Sequence, residues 1–209
     1  MRRILGASAV FAILAMGMAG GVANAAGETE GTEVAPLVSS TVVVNEVSTR
    51  GINGLLDEFI ELRNISNQPL DISGYQIRIW SPSGLTFETV VVPANTVLAP
   101  RNNPGQYLVL TGQNFGGTIV DATNVLPMNL ANAEGIPTAG GVTVHNPAAT
   151  RLDGVAFSNA VQQAREGQAA IPESATTDQL TASNTRNILS TDTDNNRVDF
   201  SLQLRSAGQ

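Results

Sequence analysis

Three glutamates in two predicted strands are the side chains of this chain best suited to acid–base chemistry. Glu46 lies in the run VVVNEV, and Glu58 and Glu61 lie in the run DEFIELRN. Because side chains alternate faces along a strand, Glu58 and Glu61 point to opposite faces, and Glu46 shares a face with the apolar Val44. Paired carboxylates can act as general acid and base when burial separates their pKa values. The alternative, which we favour, is that the carboxylates accept hydrogen bonds from arginine side chains or loop amides and hold the strand ends.

An acidic segment near residue 195 is a candidate calcium site. Asp192, Asp194 and Asn196 occupy alternate positions among turn-forming residues, and Asp199 could add a further carboxylate. Carboxylate and amide oxygens spaced in this way begin a calcium-binding loop. The segment is not an EF-hand, because Arg197 stands where that loop requires glycine. The alternative is a series of turns in which the acidic side chains bond their own backbone amides.

The remaining residue types argue against several classes of enzyme. His145 is the only histidine and cysteine is absent, which disfavours a zinc site and leaves one candidate base for a Ser-His-Asp triad. No nucleophile elbow or phosphate-binding glycine motif is present. Trp80 could stack on a sugar or on a partner's side chain, with core or rim packing as the favoured alternative. We predict a protein that is not an enzyme, with calcium as the one candidate cofactor.

The first 25 residues have the pattern of a secretory signal peptide. A pair of arginines precedes an uncharged apolar run, and the small residues ANA at 23–25 supply a cleavage site. Cleavage after Ala25 predicts a secreted protein, extracellular or periplasmic, that keeps no integral membrane segment. Residues 26–36 are acidic and low in hydrophobic side chains, so they are predicted to form a flexible tail.

The charge balance limits the choice of partner. All 11 basic residues are arginine, two of them leave with the signal peptide, and all 18 acidic residues stay, which gives a net charge of −9. Such a chain repels nucleic acid and anionic lipid. We therefore expect no nucleic-acid partner.

Short β-branched runs separated by turn residues predict an all-β domain from residue 37 to residue 205. The runs read as strands are VVVNEV, DEFIELRN, LDISGYQIRIW, LTFETVVV, QYLVLTG, GTIVD, GVTVHN, RLDGVAFS and RVDFSLQL. About nine such strands make a sandwich or a barrel. Several runs are continuously apolar, as in strands that are covered on both faces. Two long loops, 122–140 and 158–183, interrupt the pattern, and the second contains the best helix candidate, NAVQQAR at 159–165.

Several motifs resemble, in order, segments of the lamin-tail domain, a fold found in nuclear lamins and in secreted bacterial proteins. The matching pieces are Asn45-Glu46, DEFIELRN with Glu58, Glu61 and Asn64, LDISGY with Gly74, PGQYLVL, RLDGV with Asp153, NTR with Arg186, and DTDNNRVDF. The similarity runs from about Val42 to Phe200. It implies an immunoglobulin-like β-sandwich of the lamin-tail type, from which the two long loops depart.

This resemblance implies a fold and leaves the function open. The leading hypothesis is a secreted, non-catalytic binding module that recognises a protein or a cell-surface polymer through sheet edges and loops. One alternative is an extracellular structural or matrix protein that calcium stabilises at residues 192–199. Another is an uncharacterised secreted hydrolase that uses Glu46, Glu58 and Glu61. The family's eukaryotic members suggest chromatin contacts, but the absence of lysine and the negative charge argue against them here.

Overall fold

A computed structural model describes residues 38–131 and 134–209, and β-strands make up most of the regular structure in these ranges. The β-branched runs therefore predict the fold class correctly, because the described domain is all-β. The predicted signal peptide (1–25) and acidic tail (26–36) lie outside the described residues. Among the helices of these ranges, none combines the length and the apolar character that crossing a membrane requires.

Within the described ranges the chain forms twelve strands and two short helices. In chain order the strands are β1 (Val42–Ser48), β2 (Phe59–Asn64), β3 (Leu70–Asp71), β4 (Gln76–Trp80), β5 (Thr86–Val91), β6 (Val97–Leu98), β7 (Tyr107–Thr111), β8 (Val125–Pro127), β9 (Gly141–His145), β10 (Arg151–Ala156), β11 (Ala182–Arg186) and β12 (Phe200–Leu204). The helices are α1 (Ala175–Gln179) and α2 (Asn196–Asp199). Each begins at a side-chain cap, Ser174 for α1 and Asn195 for α2.

The strands form two large sheets and a small third one. The six-stranded sheet has the order β12-β11-β1-β2-β7-β8, and its pairs are antiparallel apart from β7 with β8. The four-stranded sheet is antiparallel and has the order β10-β9-β4-β5. Strands β3 and β6 pair separately. The opening strand β1 therefore lies in the middle of its sheet, between β2 and β11.

The two large sheets enclose one hydrophobic core. Side chains from β1, β2 and β7 contact side chains from β4, β9 and β10 within it. Ile60, Leu62 and Leu110 of the first sheet and Ile77 and Ile79 of the second are all fully buried. Such contacts are those of two sheets packed face to face.

Strands β1 and β2 are buried along their whole length. One face meets the core. The outer face is covered by residues 113–120 and by residues 205–209; the name covering segment is used below for residues 205–209 alone. Phe115 packs beside Phe59 and Ala207 in a second small apolar cluster, and the backbone N–H of Val120 donates to Ala207 O at 2.9 Å. The continuous apolar runs of the sequence thus correspond to strands that are covered on both faces.

A β-bulge in β1 changes which of its side chains face the core. The pairing of β1 with β2 shifts between Val44 and Glu46. Val44 and Val47 belong to the core, whereas Glu46 contacts the covering segment on the outer face. The prediction that Glu46 shares a face with Val44 is therefore wrong, because the extra residue of a bulge resets the alternation of side chains.

Three further predictions of local structure are also wrong. Residues 117–121 form a loop rather than a strand, because their backbone lies against the covering segment. Residues 159–165 form separate turns, such as the one that Val161 N closes by donating to Ser158 O, and no helix. The run 197–204 starts inside α2 and becomes a strand only at Phe200.

The two long connections hold more regular structure than the sequence indicates. The first, 122–140, contains β8, which pairs in parallel with β7. The second, 158–183, contains α1 and runs into β11. β-Propensity alone does not identify β11, because Ala, Ser and Asn are weak strand formers.

Leu110→Ala should lower the free energy of unfolding by about 2–5 kcal/mol, because it opens a cavity between the two sheets. Leu204→Ala is the matched control, since that side chain is 71% exposed, and it should change the free energy by less than about 0.5 kcal/mol. Urea unfolding followed by circular dichroism measures both. Equal effects would contradict a core shared by the two sheets.

Candidate functional site

A buried arginine at the end of β11, Arg186, is surrounded by carboxylates. Arg186 Nε donates to Val44 O at 3.0 Å, and its terminal nitrogens donate to Asp153 and Asp199, each at 2.9 Å. The guanidinium also lies over the ring of Phe200, 4.5 Å from its centre, in a cation–π contact. Because its partners come from β1, β10, α2 and β12, Arg186 links the two large sheets.

Asp153 and Arg186 together replace a strand partner that β1 lacks. The backbone N–H of Val44 donates to Asp153 Oδ2 at 2.6 Å, and Val44 O accepts from Arg186. Strand β1 pairs with β11 only at Glu46 and Val47. The side chains of Asp153 and Arg186 therefore satisfy the backbone N–H and C=O of Val44, the residue beside the bulge. Both motif residues thus have a structural role.

Further carboxylates surround the same guanidinium. Asp192 lies 3.5 Å and Glu166 4.0 Å from Arg186, and Arg151 donates to Glu166 at 2.6 Å. Burial raises the pKa of Glu166 to about 9, and the charge of Asp153 adds to this rise. Burial also raises the pKa of Asp153, while the charge of Arg186 lowers it. Glu166 therefore holds a proton more readily than Asp153 does at neutral pH, which reduces the repulsion between these two carboxyl groups.

The same cluster is the candidate cation site that the described residues offer. One oxygen each from Asp153, Glu166 and Asp192 lies within 4.8 Å of the others. Arg186 already contacts all three carboxylates, so a metal ion there would have to compete with a buried guanidinium. The geometry is that of an ion-pair cluster and supplies no argument for a metal.

The predicted calcium ligands Asp192, Asn196 and Asp199 are engaged by protein groups. Asp192 and Asp199 contact Arg186, and Asp192 Oδ1 accepts the backbone N–H of Asp194 at 3.2 Å, as in an Asx turn. The amide of Asn196 bonds the backbone of β10 at both its oxygen and its nitrogen. The calcium site therefore stays a prediction.

Glu46 and Glu61 lie opposite each other on the outer face and are fully buried. Glu46 accepts from the backbone N–H and the hydroxyl of Ser206, at 2.9 and 2.6 Å. Glu61 accepts from the backbone N–H of Gly208 at 2.5 Å and from the amide of Asn45 at 2.7 Å. Burial, and then the charge of Glu46, raise the pKa of Glu61 to about 8. The pair anchors the covering segment, with backbone, serine and asparagine groups as donors instead of arginine.

Glu58 directly precedes β2 and is also fully buried. Its Oε2 accepts the backbone N–H of Ile136 at 2.5 Å, and no hydrogen bond from the described residues reaches Oε1. Burial raises the pKa of Glu58 to about 7. A carboxyl that titrates near neutrality suits acid–base chemistry, but a hydrolase substrate would have to reach an enclosed side chain.

Two further motif residues shape turns. The amide of Asn64 donates to Gln68 O at 2.8 Å and to Ala99 O at 2.9 Å, and its oxygen accepts the backbone N–H of Ser66. Gly74 adopts a φ of +73° in the turn before β4, a conformation that glycine reaches without strain. Both residues fix the path of the chain and neither faces a cavity described below.

Trp80, Thr143 and His145 form a buried hydrogen-bonded series. Trp80 Nε1 donates to Thr143 Oγ1 at 2.9 Å, and that hydroxyl lies 2.9 Å from His145 Nε2. Burial lowers the pKa of His145. Trp80 is only 9% exposed, which confirms the packing interpretation and leaves no free ring face for a sugar.

An open cavity beside β7 and β8 is lined by residues that the sequence motifs do not indicate. The cavity has a volume of about 540 Å³, and its walls include Gln113, Phe115 and Asn129. The only sequence signal is the segment QNFGG at 113–117, in which glycines expose an aromatic ring between amide side chains. The buried carboxylates are thus structural in their contacts, whereas the polar residues Gln113 and Asn129 of this cavity are exposed.

Comparisons with known proteins give a distant structural similarity and no match in sequence. No protein-family model and no curated protein matches the chain. Its structure is similar to that of a DUF4876 family protein from Bacteroides thetaiotaomicron VPI-5482, with 13% sequence identity and a TM-score of 0.41, over 81% of this chain and 69% of that one. A similarity of this size carries no functional argument, and the lamin-tail resemblance stays a prediction.

Arg186→Met should lower the free energy of unfolding by about 3–5 kcal/mol at neutral pH, because it leaves buried carboxylates without their cation. Arg197→Met is the control, since Arg197 is exposed on α2, and it should cost less than about 0.5 kcal/mol. Urea unfolding measures both. An Arg186→Met protein as stable as the wild type would show that the cluster does not hold the sheets together.

Glu58→Gln should stabilise the protein above neutrality and leave it unchanged in mild acid. The folded-state pKa of Glu58 is raised from 4.5 to about 7, so the folded protein binds this proton more tightly than the unfolded chain does. The wild type should therefore lose roughly 3 kcal/mol from this group as the pH rises from about 4.5 to about 7. Glutamine cannot ionise, so the stability difference should grow over that interval and then level off. Urea titrations at several pH values measure it, and a pH-independent difference would contradict the raised pKa.

Proposed function

We propose that this chain is a secreted, non-catalytic binding module with an immunoglobulin-like sandwich of the lamin-tail type. It recognises a protein or surface polymer, and its principal site is a sheet edge that takes up an extended segment of a protein partner. The observation that carries the proposal is strand β5, whose outer side pairs with no strand in the described part of the chain.

The other edge strand of the same sheet, β10, has partners for its outward backbone groups. It differs in this from β5, whose outer side has no strand partner in the described part of the chain. Gly154 O of β10 accepts from the Asn196 amide at 2.8 Å, and Ala156 N donates to the oxygen of the same side chain at 3.0 Å. Ala156 O accepts the backbone N–H of Ala170 at 2.9 Å. Proteins commonly cover strand edges in this way because unpaired backbone groups attract other strands.

The backbone of β5 presents hydrogen-bonding groups to its open side. Val92 N donates to Tyr75 O and Val92 O accepts from Gly74 N, so both groups of residue 92 point toward β4. Because these groups alternate sides along a strand, the N–H and C=O of Thr89 and Val91 point away from β4. An added peptide strand would find its backbone partners there, with affinity from the main chain and specificity from side chains.

The contacts of the candidate catalytic groups support a binding role. Glu46, Glu58 and Glu61 are enclosed and accept hydrogen bonds from residues that they hold in place. The motif residues Asp153 and Arg186 likewise act on the fold, as expected of residues that define a domain family. Secretion rests on the leader pattern of residues 1–25.

Thr89→Pro should abolish strand addition without unfolding the protein, because proline removes an outward N–H and is tolerated in edge strands. Peptides selected on the wild-type protein from a displayed library of short extended sequences should bind Thr89→Pro at least about tenfold more weakly, or roughly 1.4 kcal/mol. The peptides should also slow hydrogen exchange at the amides of Thr89 and Val91.

Thr89→Ala is the matched control, since it keeps the backbone N–H and should bind within about twofold of the wild type. Circular dichroism checks that both variants are folded. Selected peptides that bind Thr89→Pro as well as the wild type, or that protect amides elsewhere, would contradict the proposed edge.

A further inference from the structure

The outer face of the six-stranded sheet carries a row of three cavities among the described residues, which we call the outer groove. Their volumes are about 540, 300 and 180 Å³. The first two share Phe115 and Gly117 as wall residues, and the last two share Gln209. Because each cavity shares wall residues with the next, the row suits an elongated ligand better than a compact one.

The first cavity is lined without any charged side chain, although the chain as a whole is strongly acidic. Its walls combine the ring of Phe115 with the exposed amides of Gln113 and Asn129. No hydrogen bond from the described protein engages either amide side chain, so both retain their donors and acceptors for a ligand. An uncharged ligand rich in hydroxyl groups would satisfy them.

The ring of Phe115 is held in place by its neighbours. It packs edge-to-face on Phe59, with ring centres 5.5 Å apart and planes at 67°. A Cβ on Gly117 would lie 2.6 Å from the tip of the Phe115 ring, so glycine is needed for the ring to lie where it does. A fixed aromatic face offers its negative surface to the C–H groups of a sugar ring.

The charged side chains of the other two cavities are already engaged. Asp57 and Arg205 form an ion pair at 2.8 Å in the second cavity. In the third cavity, Arg63 donates to Ser190 Oγ and to Ile188 O, each at 2.8 Å. The groove therefore offers little free charge to a ligand.

The border of the first cavity also disfavours a peptide strand. Val125 and Pro127 of β8 line it, and proline has no N–H to offer to an added strand. Ring and amide side chains, rather than an unpaired backbone, are the groups available here.

We propose that the outer groove binds a linear, uncharged oligosaccharide. The sugar rings stack on Phe115 in the first cavity, where Gln113 and Asn129 bond their hydroxyls, and the chain continues past Gln209. This site goes beyond the proposed strand-binding function, because β5 belongs to the other sheet.

The first test is affinity electrophoresis of the full chain through gels that contain a soluble β-glucan, xylan, mannan or polygalacturonate. At least one of the three uncharged polysaccharides should retard the protein, and polygalacturonate should not. Retardation by none of the uncharged polymers, or by polygalacturonate alone, would overturn the proposal. Calorimetry with hexasaccharides of the retarding polymer then gives the dissociation constant.

The double variant Gln113→Ala, Asn129→Ala should raise that dissociation constant at least about tenfold with an unchanged Tm, since both side chains are exposed. Phe115→Leu, which keeps an apolar contact with Phe59 but removes the aromatic face, should do the same. Gln162→Ala, an exposed amide outside the groove, is the control. Wild-type affinity in the double variant would overturn the assignment of the site.

Thr89→Pro separates the two proposals, because it should lose peptide binding and keep the affinity for the sugar. Sugar binding that fails in Thr89→Pro and persists in the double variant would place the ligand at the β5 edge and overturn the groove.

Discussion

The buried ion pair between Arg186 and Asp153 is the interaction on which the rest of this structure depends. Removing two charges from water costs several kcal/mol for each ion, and good hydrogen-bond geometry has to offset this cost. Arg186 has that geometry, because it donates to Asp153, Asp199, Val44 O and Thr191 O. Strand β1 can therefore carry a bulge at a place where its backbone would otherwise be buried without partners. The cluster around Arg186 connects the two large sheets beside their apolar core.

The bulge in turn decides what the outer face becomes. By shifting the side-chain alternation, it directs Glu46 outward beside Glu61, where the two carboxylates bind the covering segment. The same segment packs Ala207 over Phe59 and closes the face at its centre, while the cavities remain along its margin. The bulge in β1 thus places Glu46 where it holds the covering segment, and residues of that segment line two of the cavities.

The sequence predicts the all-β class because strand preference and burial pattern are local properties, and most strands follow β-branched runs. It does not predict which face carries Glu46, because a bulge has no reliable sequence mark. In the sequence, the acidic segment resembles a calcium loop. In the structure, Arg186, a residue outside that segment, lies among its carboxylates. The outer groove is equally hidden, since Phe115 shares one cavity with Asn129 and a second with Gln209 only in the folded chain. Alternation and spacing describe residues that are close in sequence. The bulge, the Arg186 cluster and the outer groove depend on contacts between residues that are far apart in sequence.

The central place of β1 has a consequence for how the domain forms. The first strand cannot complete its pairing until β11, more than a hundred residues later, is available, and β12 then closes the sheet. All-β domains with such distant pairings fold slowly, in milliseconds to seconds, because loop-closure entropy is lost before the contacts form. We therefore expect the six-stranded sheet to form only after the residues of β11 and β12 have been synthesised, whereas the pairing of β1 with β2 can form earlier.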